Sequence, residues 1–342
     1  MTSVPTIAVI IPVFNGERHL ATAIGCVLAQ TLPATEIIVV DDGSTDGSAE
    51  LIRALAAQSA IRMTLISHEN MGQSASRNAA AAIASSELLA FLDQDDLWRP
   101  THLERLAEPY IAESETGAAE IGWVYSDFDE IDVHGRIVTR NYMGANGVIG
   151  QRLSVIDIIH RDGMIIPSAS LLRASAYAEV DGFDPLLRGY EDDDLFLRMF
   201  RAGWSSVFVP EAVTSFRVHP DSSSTRGIFR DSRVRFYEKV AAELPDDVRL
   251  RRYYVSDVLR PRLLSATLVE YSTAIALRRP DEASEIAVSV ERLLAGGRPT
   301  ARQRLGLAVL RRPALAGFIL RVDRRLPRVL RLRIPATLSL RR

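Results

Sequence analysis

The sequence predicts an α/β fold: a mostly parallel sheet with flanking helices, followed by a helical C-terminal extension. In the first hundred residues, short β-rich runs alternate with segments of helical spacing, joined by short connections. This alternation is typical of a parallel sheet with right-handed crossovers, as in Rossmann-like folds. The first run, residues 7–13, is apolar throughout, which favours a strand buried on both faces. After residue 224 the pattern is helical, with breaks at prolines and at one Gly-Gly pair.

The same patterns predict the individual elements. Strands are predicted at 7–13, 36–40, 62–67, 88–92, 205–209 and 213–218, with a strand–turn–strand at 121–140 and an extended segment at 164–172. Helices are predicted at 17–30, 46–58, 72–84, 154–160, 173–179 and 191–201. The simplest partition is one domain at 1–224 and a helical, arginine-rich extension at 225–342.

Composition excludes several classes of protein. The chain is 47% hydrophobic and 25% charged, which indicates a globular protein, and no stretch has the uninterrupted apolar length of a membrane span. Its only cysteine, Cys26, cannot form an intramolecular disulfide, and the N-terminus lacks a signal-peptide pattern, so we expect a reducing cytoplasm. The only lysine, Lys239, lies outside any GxxxxGK[ST] loop, which excludes a P-loop nucleotidase.

Charge is unevenly distributed along the chain. Residues 297–342 contain thirteen arginines and one acidic residue, a net charge of about +12. Because the whole chain carries −2, residues 1–296 carry −14. This split favours an acidic body and a tail that binds an anionic partner, either an anionic lipid surface or the body itself.

Acidic residues follow several of the predicted strands. Asp41 and Asp42 follow the second strand, and Asp93, Asp95 and Asp96 follow the fourth. The carboxyl ends of parallel strands meet at one edge of the sheet, where ligands bind in α/β folds. Carboxylates gathered there raise one another's pKa unless a cation compensates them. The sequence therefore predicts a cation site at this edge.

The segment Asp93-Gln94-Asp95 is the strongest candidate for that site. Residues two apart in an extended chain point the same way, so Asp93 and Asp95 can face one site while Gln94 turns aside. Two hard oxygen donors suit Mg²⁺ or Mn²⁺, which retains waters and takes further oxygens from a phosphate ligand.

Seven short motifs, in register over residues 7 to about 224, resemble glycosyltransferase family 2. They are VIIPVFNG at 9–16, VVDDGSTD at 39–46, NMG at 70–72 with ASRN at 75–78, FLDQDD at 91–96, GFD at 182–184, ED at 191–192 with DL at 194–195 and LR at 197–198, and Arg217 with His219. The resemblance implies the GT-A nucleotide-diphospho-sugar transferase fold, with a nucleotide-binding half at about 1–98 and an acceptor half at about 99–224.

The resemblance also implies roles for the matching residues. A nucleobase pocket would be formed by Pro12, Phe14 and Asp42, and the donor site would include Asn15 and Asn70. Arg77 would approach the diphosphate or ribose, and Asp93 the ribose or sugar. Asp95 would ligate the metal, with His219 as a second candidate facing diphosphate or metal. Trp98, Trp123 and Trp204 could stack on sugars, but their apolar neighbours favour core packing; Trp98, directly after the acidic cluster, is the best exception.

The second acidic motif opens a predicted helix, where the helix dipole favours carboxylates. The resemblance makes Asp192 the general base that deprotonates the acceptor hydroxyl, with Glu191 orienting that base or the acceptor. One base and no second nucleophile imply a single in-line displacement and inversion of configuration. Asp194 and Arg198 are four residues apart, which predicts a structural ion pair.

The expected activity is therefore metal-dependent transfer of a sugar from a nucleoside-diphosphate sugar, with UDP-sugars favoured, to a hydroxyl of a glycan or lipid-linked acceptor. Cell-surface polysaccharide synthesis is the expected process, in the cytoplasm and at the inner face of the cell membrane; no nucleic-acid partner is expected. A sugar-1-phosphate nucleotidyltransferase would need a glycine-rich N-terminal loop with a basic residue, which Asn15-Gly16-Glu17 does not supply. A non-catalytic nucleotide-sugar-binding or scaffold protein at the membrane surface is the alternative.

Overall fold

A computed structural model describes residues 4–116, 120–148, 150–151, 154–160, 164–219, 227–295 and 301–318. These residues form two compact units. The first unit contains the described residues up to 158 and those from 164 to 219, and the second contains 159–160 and the described residues from 227 onward.

The first unit is built on a single mixed sheet. Its strands are β1 (Ile7–Val13), β2 (Glu36–Asp41), β3 (Arg62–Ser67), β4 (Leu88–Phe91), β5 (Leu97–Trp98), β6 (Ile121–Ile131), β7 (Ile137–Thr139), β8 (Ser170–Arg173) and β9 (Ser205–Arg217). They lie in the order β3-β2-β1-β4-β8-β6-β9-β5, and β7 pairs with β6. β1 to β4 are mutually parallel, as predicted, whereas β8 runs antiparallel between β4 and β6.

Helices flank this sheet and form the second unit. Those of the first unit are α1 (Glu17–Leu28), α2 (Ser48–Gln58), α3 (Gln73–Ile83), α4 (His102–Thr116), α5 (Tyr142–Ala145), α6 (Val155–His160, ending in the second unit), α7 (Ala174–Glu179) and α8 (Glu191–Arg201). Those of the second are α9 (Gly227–Glu243), α10 (Arg260–Ala276), α11 (Pro280–Ala295) and α12 (Ala301–Leu310). The α/β class and the helical C-terminal region are thus confirmed.

One strand differs from its prediction. The runs 205–209 and 213–218 were expected as separate strands, but they form the continuous strand β9, which pairs in parallel with β6. The register jumps between Ser126↔Val209 and Asp127↔Ala212, so Pro210 and Glu211 are left without a partner across the ladder. A β-bulge of this kind bends a strand without ending it. The Pro-Glu pair that suggested a break is this bulge.

The core explains why the strand ends are held in place. Every residue of β1 is buried, and Ile7, Val9 and Ile11 pack in one cluster with Leu20 and Ile24 of α1. Side chains alternate between the two faces of a strand, so the other face of β1 is covered as well. This double burial fixes the carboxyl end of β1 rigidly at the sheet edge.

Trp98 belongs to the core rather than to a sugar site. It is buried and stacks on the His102 ring, with the ring centroids 4.0 Å apart. Its indole Nε1 donates a hydrogen bond of 2.6 Å to the carbonyl oxygen of Ser168. The expectation of core packing is therefore confirmed at Trp98, and the exception allowed for it does not hold, because the ring stacks on His102 and its polar atom is already bonded.

Part of the arginine-rich segment is packed within the second unit. Tyr271 of α10, Ile286 of α11 and Ala316 lie in one buried cluster. The Tyr271 hydroxyl donates 2.8 Å to the carbonyl oxygen of Leu310 at the end of α12. Among the described residues, no helix combines the length and apolarity needed to cross a bilayer. The predicted lipid-binding stretch around Arg324, Arg325, Arg328 and Arg331 lies outside the described residues.

Candidate active site

The carboxyl ends of β1, β2 and β4 meet at one edge of the sheet, as the sequence predicts. β1 lies between β2 and β4 and is parallel to both. The backbone N–H of Asp42 donates 2.7 Å to the carbonyl oxygen of Val13. Gln94, after β4, accepts from the Phe14 N–H at 2.8 Å and donates to the Phe14 carbonyl at 3.2 Å. The segments after three strands are thus bonded to one another.

The loop after β1 presents Phe14 at the surface. Phe14 is 46% exposed and lies directly after β1, at the carboxyl edge of the sheet. The next residue, Asn15, has a left-handed φ of 50°. Its N–H donates 2.9 Å to the Ser44 hydroxyl, and its side-chain oxygen accepts from Thr45 N–H at 2.8 Å. Pro12, by contrast, is buried within β1 and pairs with Val40.

Asp42 organises the loop before α3. Its carboxylate is buried and accepts hydrogen bonds from the backbone N–H groups of Met71 (2.7 Å) and Gly72 (2.8 Å). Asn70 in the same loop is exposed. Gly43 makes the approach possible: it has a φ of +77°, and a Cβ there would lie 2.9 Å from the Asn70 nitrogen. The predicted nucleobase contact of Asp42 would share oxygens that already hold this loop.

Arg77 of α3 joins the two acidic motifs. Its side chain is 1% exposed; one terminal nitrogen lies 2.6 Å from Asp93 Oδ1, and the other lies 3.3 Å from Glu191 Oε1. The guanidinium also lies over the Phe183 ring, 5.0 Å from its centroid. Burial by itself lowers the pKa of Arg77, but the charges of Asp93 and Glu191 outweigh it and raise that pKa above its ordinary value. At 1% exposure the guanidinium is covered by its neighbours, so direct contact with a diphosphate would require them to move.

The second acidic motif forms the first turn of α8, as predicted. Glu191 is buried and accepts hydrogen bonds from the Gln73 side chain and from Arg77. Asp192 is half-buried, and its Oδ1 accepts from the Asp193 N–H at 2.8 Å, a bond of the kind that a helix N-terminus offers to carboxylates. Glu191 therefore faces α3, and Asp192 follows it at the start of the helix.

The predicted ion pair within α8 is confirmed. Asp194 Oδ2 lies 2.8 Å from the Arg198 guanidinium, and both side chains are largely buried. Arg198 also donates 2.6 Å to the carbonyl oxygen of Gly182. Asn78 of α3 in turn donates 2.8 Å to the carbonyl oxygen of Phe183. These bonds fasten α8 and the 182–184 loop to α3, so the helix that carries Asp192 is held in a fixed position.

Asp95 and His219 lie together. Asp95 Oδ2 is 2.9 Å from His219 Nε2, and the Asp95 side chain is 22% exposed. Burial and then the neighbouring Asp93 charge raise the pKa of Asp95, while His219 opposes the shift. Burial, Asp95 and Asp93 raise the pKa of Asp96 well above its ordinary value. Burial is the largest cause of both shifts, and the neighbouring carboxylates add to it.

The donor chemistry at Asp95 and His219 suits a divalent cation bound with its substrate. No group of three or more His, Cys, Asp or Glu side chains within the described ranges could enclose a metal ion. Mg²⁺ and Mn²⁺ sites that serve phosphate ligands use only one or two carboxylates, with the rest supplied by waters and phosphate oxygens. A partly exposed carboxylate beside an imidazole fits this second kind of site and not a closed protein cage.

Four residues to which the sequence analysis gave no role in the site complete the edge. Gln73 contacts Glu191, and Gln94 contacts Phe14. Arg217 donates its Nε–H to the Asp95 carbonyl oxygen at 2.7 Å. His19 has its pKa lowered by burial and by Arg217, and Asp95 acts on it in the opposite sense. The sequence motifs include Arg217 without a role and Gln94 as the residue that turns aside from the site; Gln73 and His19 stand at positions with no distinguishing spacing.

The chain belongs to glycosyltransferase family 2. Residues 8–179, half of the chain, match the family described as "Glycosyl transferase family 2". Among named proteins, an uncharacterized glycosyltransferase of Nostoc sp., alr2836, is 45% identical over 104 residues, which are 30% of this chain and 32% of that relative. Glycosyltransferase GlyG of Streptococcus pneumoniae is 26% identical over 62% of this chain and 70% of its own length. Hyaluronan synthase of Pasteurella multocida is 24% identical over 58% of this chain and 19% of that protein.

Solved structures show the same fold over nearly the whole chain. Residues 1–349 of S. aureus TarS, in complex with UDP-GlcNAc, superpose with a TM-score of 0.63 at 16% identity, covering 94% of this chain and 91% of that one. The mannosyltransferase PcManGT of Pyrobaculum calidifontis, in complex with GDP-Man and Mn²⁺, gives a TM-score of 0.53 at 16% identity, with 93% and 87% covered. The protein is a glycosyltransferase of the GT-A fold.

Proposed function

We propose that this chain is a metal-dependent, inverting glycosyltransferase that uses a nucleoside-diphosphate sugar, with a UDP-sugar favoured. The observation that carries the proposal is the continuous set of contacts across α3. Asp42 holds the loop before this helix, Arg77 within it holds Asp93, and Gln73 and Arg77 together hold Glu191. Carboxylates from three distant parts of the sequence are thereby fixed around one helix start.

The donor would lie against the edge formed by these loops. Exposed Phe14 would provide an apolar wall for the nucleobase, and the Asp42 region would provide acceptors for its N–H groups. Asn15 and Asn70 would line the same site, and Asp93 would contact the ribose or sugar. Because Arg77 is buried behind Asp93, we assign it a positioning role: it neutralises and orients the carboxylates that meet the donor.

Asp95, with His219 beside it, would hold Mn²⁺ or Mg²⁺. When bound with the donor, the metal would neutralise charge on the departing nucleoside diphosphate. PcManGT, of the same fold, was solved with GDP-Man and Mn²⁺, which supports the choice of metal. The two side chains leave coordination positions for waters and phosphate oxygens.

Asp192 would act as the general base. It is half-buried at the start of α8, and its Oδ1 accepts a hydrogen bond from the Asp193 N–H. Glu191 is tied to Gln73 and Arg77, so it would orient the base and not exchange protons itself. A single base that activates the acceptor hydroxyl gives one displacement at the anomeric carbon, and hence inversion.

The acceptor would be a glycan or a lipid-linked glycan of a cell-surface polysaccharide. Similarity to a hyaluronan synthase supports the polysaccharide class. We place the enzyme in the cytoplasm, at the inner face of the membrane, with the arginine-rich C-terminal residues drawn to anionic lipid. The net charge of about +12 over residues 297–342 supports that contact. Deleting those residues should weaken binding to anionic liposomes and leave nucleotide binding intact.

The test of this function separates binding from transfer at Asp192. Thermal shift with nucleotide sugars and Mn²⁺ first identifies the donor, because a ligand that binds the folded state raises its melting temperature. The Asp192→Asn variant should then bind that donor with unchanged affinity, while turnover of the donor falls by about 10³-fold or more. Calorimetry measures the first quantity and release of nucleoside diphosphate measures the second.

Asp181→Asn is the matched control for this experiment. Asp181 is exposed in the same unit and has a left-handed φ of 59°, which asparagine tolerates well. It should retain both donor binding and turnover. If Asp192→Asn keeps wild-type turnover, the assigned base is wrong; if it loses donor binding as well, its role is structural.

A further inference from the structure

A cavity of about 370 Å³ lies on the first unit, away from the residues that hold the donor in the function proposed above. Its walls include Arg99, Asp129, Arg140, Asn141 and Glu211. Arg99 follows β5, Asp129 lies in β6, and Glu211 lies in the β9 bulge. None of these side chains belongs to the motifs that define the family resemblance. The cavity is therefore a separate feature that the donor site leaves unexplained.

Asp129 links the two segments of the cavity lining that carry Arg99 and Arg140. Its Oδ2 lies 2.8 Å from the Arg99 guanidinium, and its Oδ1 accepts from the Asn141 backbone N–H at 2.9 Å. Asn141 follows Arg140 and has a left-handed φ of 45°, which asparagine adopts readily. One buried carboxylate thus holds Arg99 by its side chain and Arg140 through the next residue's backbone.

The backbone on the Arg99 side is also anchored. The Arg99 N–H donates 2.9 Å to the carbonyl oxygen of Val213, next to the bulge. Its carbonyl oxygen accepts 2.9 Å from the Gln30 side chain. Pro210 and Glu211 of the bulge, which have no partner on β6, also line the cavity. Bulges of this kind frequently lie beside functional sites.

Among the described residues that line the cavity, Arg140 is the arginine whose charge is not paired. Asp129 is paired with Arg99, and Glu211 shares Arg105 on α4 with Glu108. Arg140 is exposed, and within the part of the chain that the structure describes it makes neither a hydrogen bond nor an ion pair. Arg99 is half-exposed and uses a single nitrogen for Asp129, so further N–H groups remain at the cavity wall. The lining thus holds two guanidinium groups and two carboxylates, so an anion would bind through the N–H groups of Arg140 and the remaining N–H groups of Arg99 and not through a net positive charge.

We propose that this cavity is an acceptor subsite that binds an anionic group, a phosphate or a carboxylate, through Arg140 and Arg99. Planar guanidinium groups match both kinds of oxyanion. This inference rests on the proposed function, because it assumes that the anionic group belongs to the acceptor of the sugar transfer. Arg99 is four residues from Asp95, so their Cα atoms lie within about 14 Å of each other. An extended acceptor that enters the donor site can span such a distance.

The test measures binding of small anions directly and needs no transfer. With UDP and Mn²⁺ present at saturation to occupy the donor site, calorimetry would follow phenyl phosphate, glucuronate and neutral methyl glucoside. We expect at least one of the two anions to bind and methyl glucoside not to bind. Binding of phenyl phosphate alone indicates a phosphate-linked acceptor, and binding of glucuronate alone indicates an acidic glycan. Failure of both anions to bind would overturn the subsite.

Arg140→Gln is the decisive variant, because this side chain supports no other contact in the described structure. It should weaken anion binding by at least about tenfold and leave UDP affinity unchanged. Arg136→Gln is the matched control: it is an exposed arginine near the same loop, paired with Asp132 and outside the cavity, and it should bind as the wild type does. Equal anion affinity in the wild type and Arg140→Gln would refute the assignment.

The anion-binding test can be interpreted whether or not Asp192 is the general base. If Asp192→Asn retains turnover but Arg140→Gln loses anion binding, the base is wrong and the anion site stands. If the anions bind and Arg140→Gln leaves the KM for the natural acceptor unchanged, the site binds anions but is not an acceptor subsite, and the proposal fails. A rise in that KM at constant kcat is the result we expect.

Discussion

Replacing Arg77 by methionine tests whether this buried side chain holds the two acidic motifs together. The substitution keeps most of the apolar volume and removes the charge that pairs with Asp93 and Glu191. Removing one partner of a buried ion pair costs about 3–5 kcal/mol, because a charge stays buried without compensation. Asp93 is 28% exposed and can be partly rehydrated, whereas Glu191 is 7% exposed. We therefore expect a loss near the lower end, about 3 kcal/mol.

Tryptophan fluorescence during urea unfolding measures this loss in the relevant unit. All three tryptophans, at positions 98, 123 and 204, lie in the first unit. Arg77→Lys should recover part of the loss, since an ammonium keeps the charge but cannot pair with both carboxylates as the guanidinium fork does. Arg53→Met, at an exposed i,i+3 pair on α2, should change stability by less than about 1 kcal/mol.

A double-mutant cycle identifies the cause of the loss. If the unpaired Glu191 charge dominates, Glu191→Gln should relieve part of the defect of Arg77→Met, with a coupling of about 2 kcal/mol. A cost of Arg77→Met below about 1 kcal/mol, or purely additive effects of the two substitutions, would refute the reasoning.

Three further predictions concern the edge of the sheet and the core behind it. Gln94→Ala should weaken nucleoside-diphosphate binding about tenfold, because it frees the Phe14 backbone from two hydrogen bonds; calorimetry giving wild-type affinity would contradict this. Asp95→Ala should abolish the Mn²⁺-dependent part of nucleotide affinity, and an unchanged dependence on Mn²⁺ would remove its metal role. Burial lowers the pKa of His102 to about 3, below the unfolded value of about 6.5, so its NMR signals should not titrate above pH 4. Between about pH 3 and pH 6.5, His102 binds a proton only in the unfolded form, so the first unit loses stability as the pH falls below about 6.5. An NMR titration of His102 in the folded protein with a midpoint near 6.5 would contradict the burial argument.

The helices and strands around the carboxyl edge of the sheet were predicted well, because the sequence patterns that indicate them are local. The helix at 191–201 and the strand at 62–67 have the predicted bounds, since apolar periodicity and helix-start residues lie within each segment. The convergence of Asp42 and Asp93 followed from parallel topology alone. That inference needed no knowledge of which side chains touch.

Long-range pairing explains what the sequence did not provide. Arg77 was expected to approach a phosphate, yet it is buried between carboxylates that lie 16 and 114 residues away along the chain. Nothing in the spacing around position 77 reports that burial. The antiparallel insertion of β8 between β4 and β6, and the cavity beside the β9 bulge, likewise depend on strands brought together from distant segments.

The most direct test of the central claim is a crystal structure of the protein with UDP and Mn²⁺, using anomalous scattering to locate the metal. We predict a single manganese peak at the Asp95 carboxylate, bridged to the UDP phosphates, with the nucleobase against Phe14 and the Asp192 carboxylate facing the same cleft. Manganese bound elsewhere, or Asp192 facing away from the diphosphate, would contradict the account.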